Sequence, residues 1–182
     1  MIWIVLGIIV ILVLWAVMTY NGFISLRNQV EEAFSTMDVY LKKRYDLIPN
    51  LVETVKGYAK HEKETLENVI GARNAAVNAK SVDEKFAAEK QLAQSLVHLN
   101  AVAEQYPDLK ANANFLSLQS DLKQMEGEIA NSRKYYNALV RKFNTKCETV
   151  PSNLIASMFH FERKPLFEVD TPEERQNVKV QF

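Results

Sequence analysis

"RYDLIPNLVETVKGYAKHE" spans residues 44–62, and its reading decides the fold because a proline stands in the middle of a helical stripe. Around Pro49, apolar or aromatic residues recur at Val30, Ala33, Phe34, Met37, Leu41, Tyr45, Ile48, Val52, Val55 and Ala59. Three-or-four spacing of this kind marks one face of a helix, and its phase does not slip across the proline. After Glu62 the spacing resumes at Leu66, Val69 and Ile70. Two architectures follow. Either Asp46 caps a new helix whose first turn holds Pro49, where a missing N–H costs nothing, or one long helix bends where the proline ring meets the carbonyl of Tyr45. The unbroken phase favours the bent helix, running on to about Lys80.

That helix begins in an apolar run. No Asp, Glu, Lys or Arg occurs from Met1 to Leu26, and about 20 apolar residues at a rise of 1.5 Å suffice to cross the roughly 30 Å hydrocarbon layer. A transmembrane anchor is therefore expected over residues 1–20. Trp3 and Tyr20 fall near its ends, at headgroup level. A cleaved signal peptide would need a basic leading region and a small-residue cleavage site, and neither is present. Arg27, Lys42, Lys43 and Arg44 follow the span, so the positive-inside rule predicts an outer N-terminus and a cytoplasmic domain.

Downstream, Ser81 and Glu84 stand at capping-box spacing, which predicts a helix starting at Val82. Its stripe (Val82, Phe86, Leu92, Ala93, Leu96, Leu99, Val102, Ala103, Tyr106) stops at Pro107, which disfavours helix in the residue before it. "PDLKAN" reads as a loop. A third stripe runs through Phe115, Leu118, Leu122, Met125, Ile129, Ser132, Tyr136, Leu139, Phe143 and Cys147, and Pro151 closes it. Ser152 is placed to cap a short helix through "NLIASMFHF". Helices with one apolar face each, joined by short loops, bury those faces against one another. The expected fold is all-α: a transmembrane helix, then an antiparallel up-and-down bundle of three long coiled-coil-like helices plus a short C-terminal one, or four long helices if the chain turns at Pro49. Residues 21–160 form the bundle domain, and residues 161–182 form an extended or disordered tail.

Twenty-two basic residues balance twenty-two acidic ones, which removes the whole-chain argument for nucleic acid as a partner. His61, His98 and His160 are scattered, and none has a second histidine at zinc-helix spacing. Cys147, the sole cysteine, lies on an apolar stripe and reads as a small buried hydrophobe. Neither a phosphate-cradling glycine loop nor a serine elbow occurs. Polar residues near the stripes (Asp38, Arg44, Asp46, Asn50, Glu128, Asn131, Arg133 and Asn137) read as register-setting groups. The rival reading is a polar enzymatic pocket built from Asp38, Glu128 and Arg133. The sequence thus leads to a non-enzyme with no cofactor, metal or small-molecule substrate.

The stretch from "YNGFISLRNQVEEAFSTMDVYLKKRYDLIPNLVETVKGY" through "AKHEKETLENVIGAR" resembles the N-terminal signature of the LemA family. "LQSDLKQMEGEIANSRKYYNALVRKFNTKCETVPSNLIASMFHFERKPLFE" resembles its C-terminal signature, Gly127 being an atypical residue within it. The resemblance implies a single-span protein of the bacterial inner membrane with a helical-bundle domain and no assigned catalytic residues. It also implies a link to membrane-protein quality control. The expected function is a membrane-anchored scaffold or adaptor that self-associates as a homo-oligomer or binds partner proteins, with membrane lipid held by the N-terminal helix. Membrane remodelling or lipid binding through the Phe-rich "SMFHF" segment is the alternative. A bend at Pro49 would let the domain lean against neighbouring copies.

Overall fold

In the computed structural model, residues 1–167 are described, and all their regular structure is helical. Six helices follow in order: α1 Ile2–Tyr58, α2 Lys63–Asn78, α3 Val82–Ala103, α4 Pro107–Lys110, α5 Ala113–Glu148 and α6 Ser152–Met158. The chain is an all-α helical bundle with one long apolar N-terminal helix. Its residues group into two compact units, residues 1–39 with 129–166 and residues 40–128 with Phe167.

Helix α1 runs without interruption through Pro49. The stripe read from the sequence is its buried face: Val30, Ala33, Met37, Leu41, Tyr45, Ile48, Val52, Val55 and Ala59 are all buried, while Phe34 is half-buried. The expected extension to Lys80 does not occur. The break falls at residues 59–62 and carries no proline or glycine. Its causes are tertiary. Asn112 Nδ2 donates to the Tyr58 hydroxyl at 2.9 Å, and the Tyr106 hydroxyl donates to Glu62 Oε1 at 3.3 Å. Ala59, wholly buried, gives its N–H to the Val55 carbonyl at the end of α1, and its own carbonyl accepts from the Glu62 N–H at 3.2 Å to close the turn. Periodicity is blind to this turn, because the loop is short enough for the stripe to resume in phase.

In the unit of residues 40–128, α2 and α3 form an antiparallel hairpin. Leu66, Val69, Ala72 and Ala76 are buried from α2, and Phe86, Leu92, Leu96, Leu99 and Ala103 from α3. Ser81 is the N-cap of α3: its hydroxyl accepts from the Glu84 N–H at 3.1 Å, and Glu84 Oε2 accepts from the Ser81 N–H at 3.3 Å. The Lys80 N–H shares the same carboxylate oxygen at 2.8 Å. "PDLKAN", read as loop, contains the single turn α4 with its proline in the first turn.

In the unit of residues 1–39 and 129–166, α5 packs antiparallel to α1. Phe23 meets Phe143 edge to face with ring centroids 5.9 Å apart, and Phe34 meets Tyr136 at 6.0 Å. Ser152 does not cap α6, whose N-cap is Pro151. Its hydroxyl turns back to the Lys146 carbonyl at 2.7 Å and so serves the C-terminus of α5. Residues 161–167 are extended and packed. Phe161 stacks on Phe23 at 4.6 Å, and Asn144 clamps Lys164 by giving Nδ2–H to its carbonyl and taking its N–H on Oδ1, both at 2.9 Å. The Tyr136 hydroxyl adds a bond to the Pro165 carbonyl at 3.0 Å. Phe167 is buried and meets Phe86 at 4.1 Å. The rest of the tail expectation, residues 168–182, lies outside the described residues.

Candidate interaction surfaces

Proline at position 49 has no N–H for the carbonyl of Tyr45, the acceptor four residues back. Arg73 supplies it: its Nε donates to that carbonyl at 3.2 Å from α2. Beside it, the buried Glu89 of α3 accepts from both the Arg44 guanidinium and the Tyr45 hydroxyl. Glu89 and Arg44 are 3% and 6% exposed, so this is a charge pair removed from water and saturated by a third partner. Arg44 Nε, buried, makes no hydrogen bond. Of the polar residues singled out in the sequence, Arg44 alone is buried. Asp38, Glu128, Arg133 and Asn137 are half-buried, whereas Asp46, Asn50 and Asn131 are exposed. Glu89 and Arg73 escaped the sequence reading. Glu89 did leave a signal, since it stands three residues from both Phe86 and Leu92, in phase with the stripe.

The three histidines are exposed, and among the described residues no group of three His, Cys, Asp or Glu side chains is arranged to hold a metal ion. Cys147 is half-buried. Burial first, and then the neighbouring Glu148 carboxylate, raise its thiol pKa, with Arg163 pulling the other way. A thiol so placed is a poor nucleophile.

Two surfaces stand out. The first is an open groove of about 590 Å³ between the C-terminal part of α1 and α2. Val52, Leu66 and Ile70 form its floor, and Lys56, Lys60 and Lys63 stand along its rim. Two of those lysines are engaged, Lys56 with Glu53 at 3.1 Å and Lys63 with Glu67 at 3.6 Å. Lys60, at the turn, makes no ion pair among the described residues. The second is the corner where α5 turns into α6. Val150, Leu154, Met158 and Phe159 are 80%, 62%, 68% and 49% exposed, and Phe159 packs against Tyr20 with ring centroids 4.6 Å apart. Nearby, the Lys146 amine lies 4.7 Å over the Phe23 ring and against Gly22, where a Cβ would meet it. Burial lowers its pKa.

The apolar N-terminal stretch of α1 meets the length and hydropathy of a membrane span, and none of that window is buried within the protein. A bare apolar helix carried on a helical bundle defines a membrane-associated all-α protein. The sequence profile of the LemA family matches residues 33–182, and the chain belongs to the LemA family. It is similar to Protein LemA of Metamycoplasma hominis, 28% identical over 82% of this chain and 72% of that protein. It is also similar to Magnetosome protein MamQ 2 of Paramagnetospirillum magneticum, 25% identical over 85% of this chain and 68% of that protein. Magnetosome protein MamQ of Magnetospirillum gryphiswaldense is 23% identical over 82% of this chain and 65% of its own length.

Proposed function

We propose that the protein is a non-enzymatic adaptor of the bacterial inner membrane, whose helical domain binds partner proteins, further copies of itself included, beside the bilayer. The observation that carries this reading is the groove between α1 and α2. A floor of Val52, Leu66 and Ile70 suits the apolar face of a partner helix, and Lys60, the rim lysine without an ion pair among the described residues, suits a carboxylate beside that face. Anchoring confines the protein to two dimensions and raises its effective concentration, so a shallow groove of modest affinity is enough. The domain faces the cytoplasm in this reading, on the strength of Arg27, Lys42 and Lys43. Arg44 drops out of that count because its charge is paired inside the protein.

The test is the native mass of the full-length protein extracted in mild detergent, compared with an Ile70→Asp, Lys60→Glu variant. The expected result is an assembly, homomeric or with a second protein, that the variant loses while keeping its helicity. A single-copy particle for both proteins would overturn the proposal. The partner class follows from the composition of that particle, a quality-control protein of the membrane being the heteromeric case.

A further inference from the structure

The apolar corner between α5 and α6 has a place in the fold that says what covers it. Residues 149–161 contain no Asp, Glu, Lys or Arg, while Glu148 and Glu162 border the run. Within α6, Ile155 and Ala156 face the protein and are buried, whereas Leu154 and Met158, one turn apart, face outward. This short helix therefore carries apolar residues on both its inward and its outward side, with Ser157 exposed beside Met158. An outward apolar side has no use in water, and the protein covers it with nothing of its own among the described residues.

Its height along α1 follows from the antiparallel pairing. Phe143 lies against Phe23, and Lys146 lies against Gly22. Glu148, the last residue of α5, is two residues beyond Lys146, about 3 Å further toward the N-terminus of α1 at helical rise, which brings the corner level with about Tyr20. That is inside the uncharged run of Met1–Leu26. Phe159 and Phe161 complete the continuity, because both rings pack on Tyr20, the aromatic at the end of the apolar stretch, at 4.6 and 5.8 Å. Lys146 stands beside this patch with its amine over the Phe23 ring and against Gly22.

We propose that the α5–α6 corner is a second membrane contact: Val150, Leu154, Met158 and Phe159 enter the acyl region of the same leaflet in which α1 leaves the bilayer. The contact turns a single-helix attachment into a two-point one, because a helix alone can swivel about its axis and a helix with an immersed shoulder cannot. It fixes which side of α1 and α5 faces the membrane plane. The proposal rests on the reading of α1 as a membrane span, and the experiment separates the two.

The photoreactive residue p-benzoylphenylalanine is introduced, one site at a time, at Leu154, Met158, Val10 and Tyr135 of the full-length protein, reconstituted in phosphatidylethanolamine and phosphatidylglycerol vesicles. All four positions are exposed, so the substitutions leave the packing intact. Val10 reports the span. Tyr135 reports water, since it lies on α5 about three turns from Lys146. After irradiation, phospholipid adducts are read by mass spectrometry. The expected result is adduct at Leu154 and Met158 in yield comparable to Val10, with loss of adduct at Tyr135. Adduct at Val10 but none at Leu154 or Met158 overturns the second contact and leaves the span standing. No adduct at Val10 overturns both. Protein–protein adducts in place of lipid at Leu154 would assign the corner to a neighbouring copy and overturn the proposal as well.

Discussion

Replacing Pro49 with alanine restores a donor where α1 lacks one, and the structure says how much this should matter. A proline in a helix interior costs about 3 kcal/mol relative to alanine. Here part of that cost is offset, because Arg73 Nε reaches the Tyr45 carbonyl at 3.2 Å. A hydrogen bond from a charged donor is worth roughly 1.5–3 kcal/mol, toward the low end for a half-buried arginine. In Pro49→Ala the new N–H competes for the same carbonyl, and the guanidinium returns to solvent. The expected net gain is about 1–2 kcal/mol rather than the full 3. The sharper quantity is the coupling. Arg73→Met keeps the apolar stem and removes the donor, so in the parent protein it strands a carbonyl and should cost about 1–3 kcal/mol. In the Pro49→Ala background that carbonyl has its own helical partner, and the same change should cost less than about 0.5 kcal/mol, giving a coupling of about 1–2 kcal/mol. Urea unfolding of the four full-length proteins in one mild detergent, followed by far-ultraviolet circular dichroism, measures it. An Arg73→Met cost that is equal in both backgrounds would refute the pairing of proline and arginine.

Further predictions follow from single contacts. Glu89→Ala leaves Arg44 charged and buried without its acceptor, and should destabilise by about 3–5 kcal/mol, whereas the double change Arg44→Met, Glu89→Met should recover most of that in the same unfolding assay. Ser81→Ala should cost about 1 kcal/mol by removing the cap of α3. Asn144→Ala deletes both side-chain bonds to the Lys164 backbone, so brief trypsin treatment should cut after Arg163 much faster than in the parent protein. The Cys147 thiol has a raised pKa in the folded protein, so its stabilising effect is complete below the unfolded thiol value of about 8.5 and is lost as pH rises through the folded value. Alkylation at about pH 8.5 should be slower for native than for unfolded protein, and slower still in Arg163→Ala, which removes the one charge that lowers that pKa.

The buried face of α1 was legible in the sequence because a 3.6-residue period survives Pro49 without a phase change, and a helix does not need the proline N–H if another donor reaches the carbonyl. The cap at Ser81 was equally legible, since both its bonds are local. The turn at residues 59–62 was not. It is stabilised by Tyr106 and Asn112, 44 and 54 residues away from their partners, and no window of local sequence contains those bonds. The same reason hid Arg73, a helix-surface residue by pattern whose partner lies 28 residues away, whereas Ser152 serves the C-terminus of α5 through a local bond, six residues back to Lys146. The groove arises from where two elements diverge, which composition cannot record. The α6 corner lies between these cases: "SMFHF" announced an apolar segment, but only its height along α1 connects it to lipid.

The position of the turn also changes what Pro49 does. Had α1 run on to Lys80, the carbonyl of Tyr45 would face no second helix of its own hairpin, and the proline would be a weak point open to bending. Because α1 stops at Tyr58 and α2 starts at Lys63, the chain doubles back. Tyr45 lies 13 residues before the end of α1, about 20 Å, and Arg73 lies 10 residues into α2, about 15 Å. The arginine side chain spans the difference. An orphaned carbonyl on one helix and a single guanidinium on the next can meet in only one register, since a shift of one residue on α2 moves the arginine about 100° around its axis. Pro49 is thus better described as half of a register lock than as a hinge. Glu89 makes the second half of the argument, fixing α3 against the adjacent turn of α1 through Arg44 and Tyr45. A Pro49→Ala protein should consequently keep its helices and gain stability yet lose discrimination between registers. Hydrogen exchange of the α2 amides is the readout, with faster exchange in α2 despite a higher global stability as the outcome this reasoning requires.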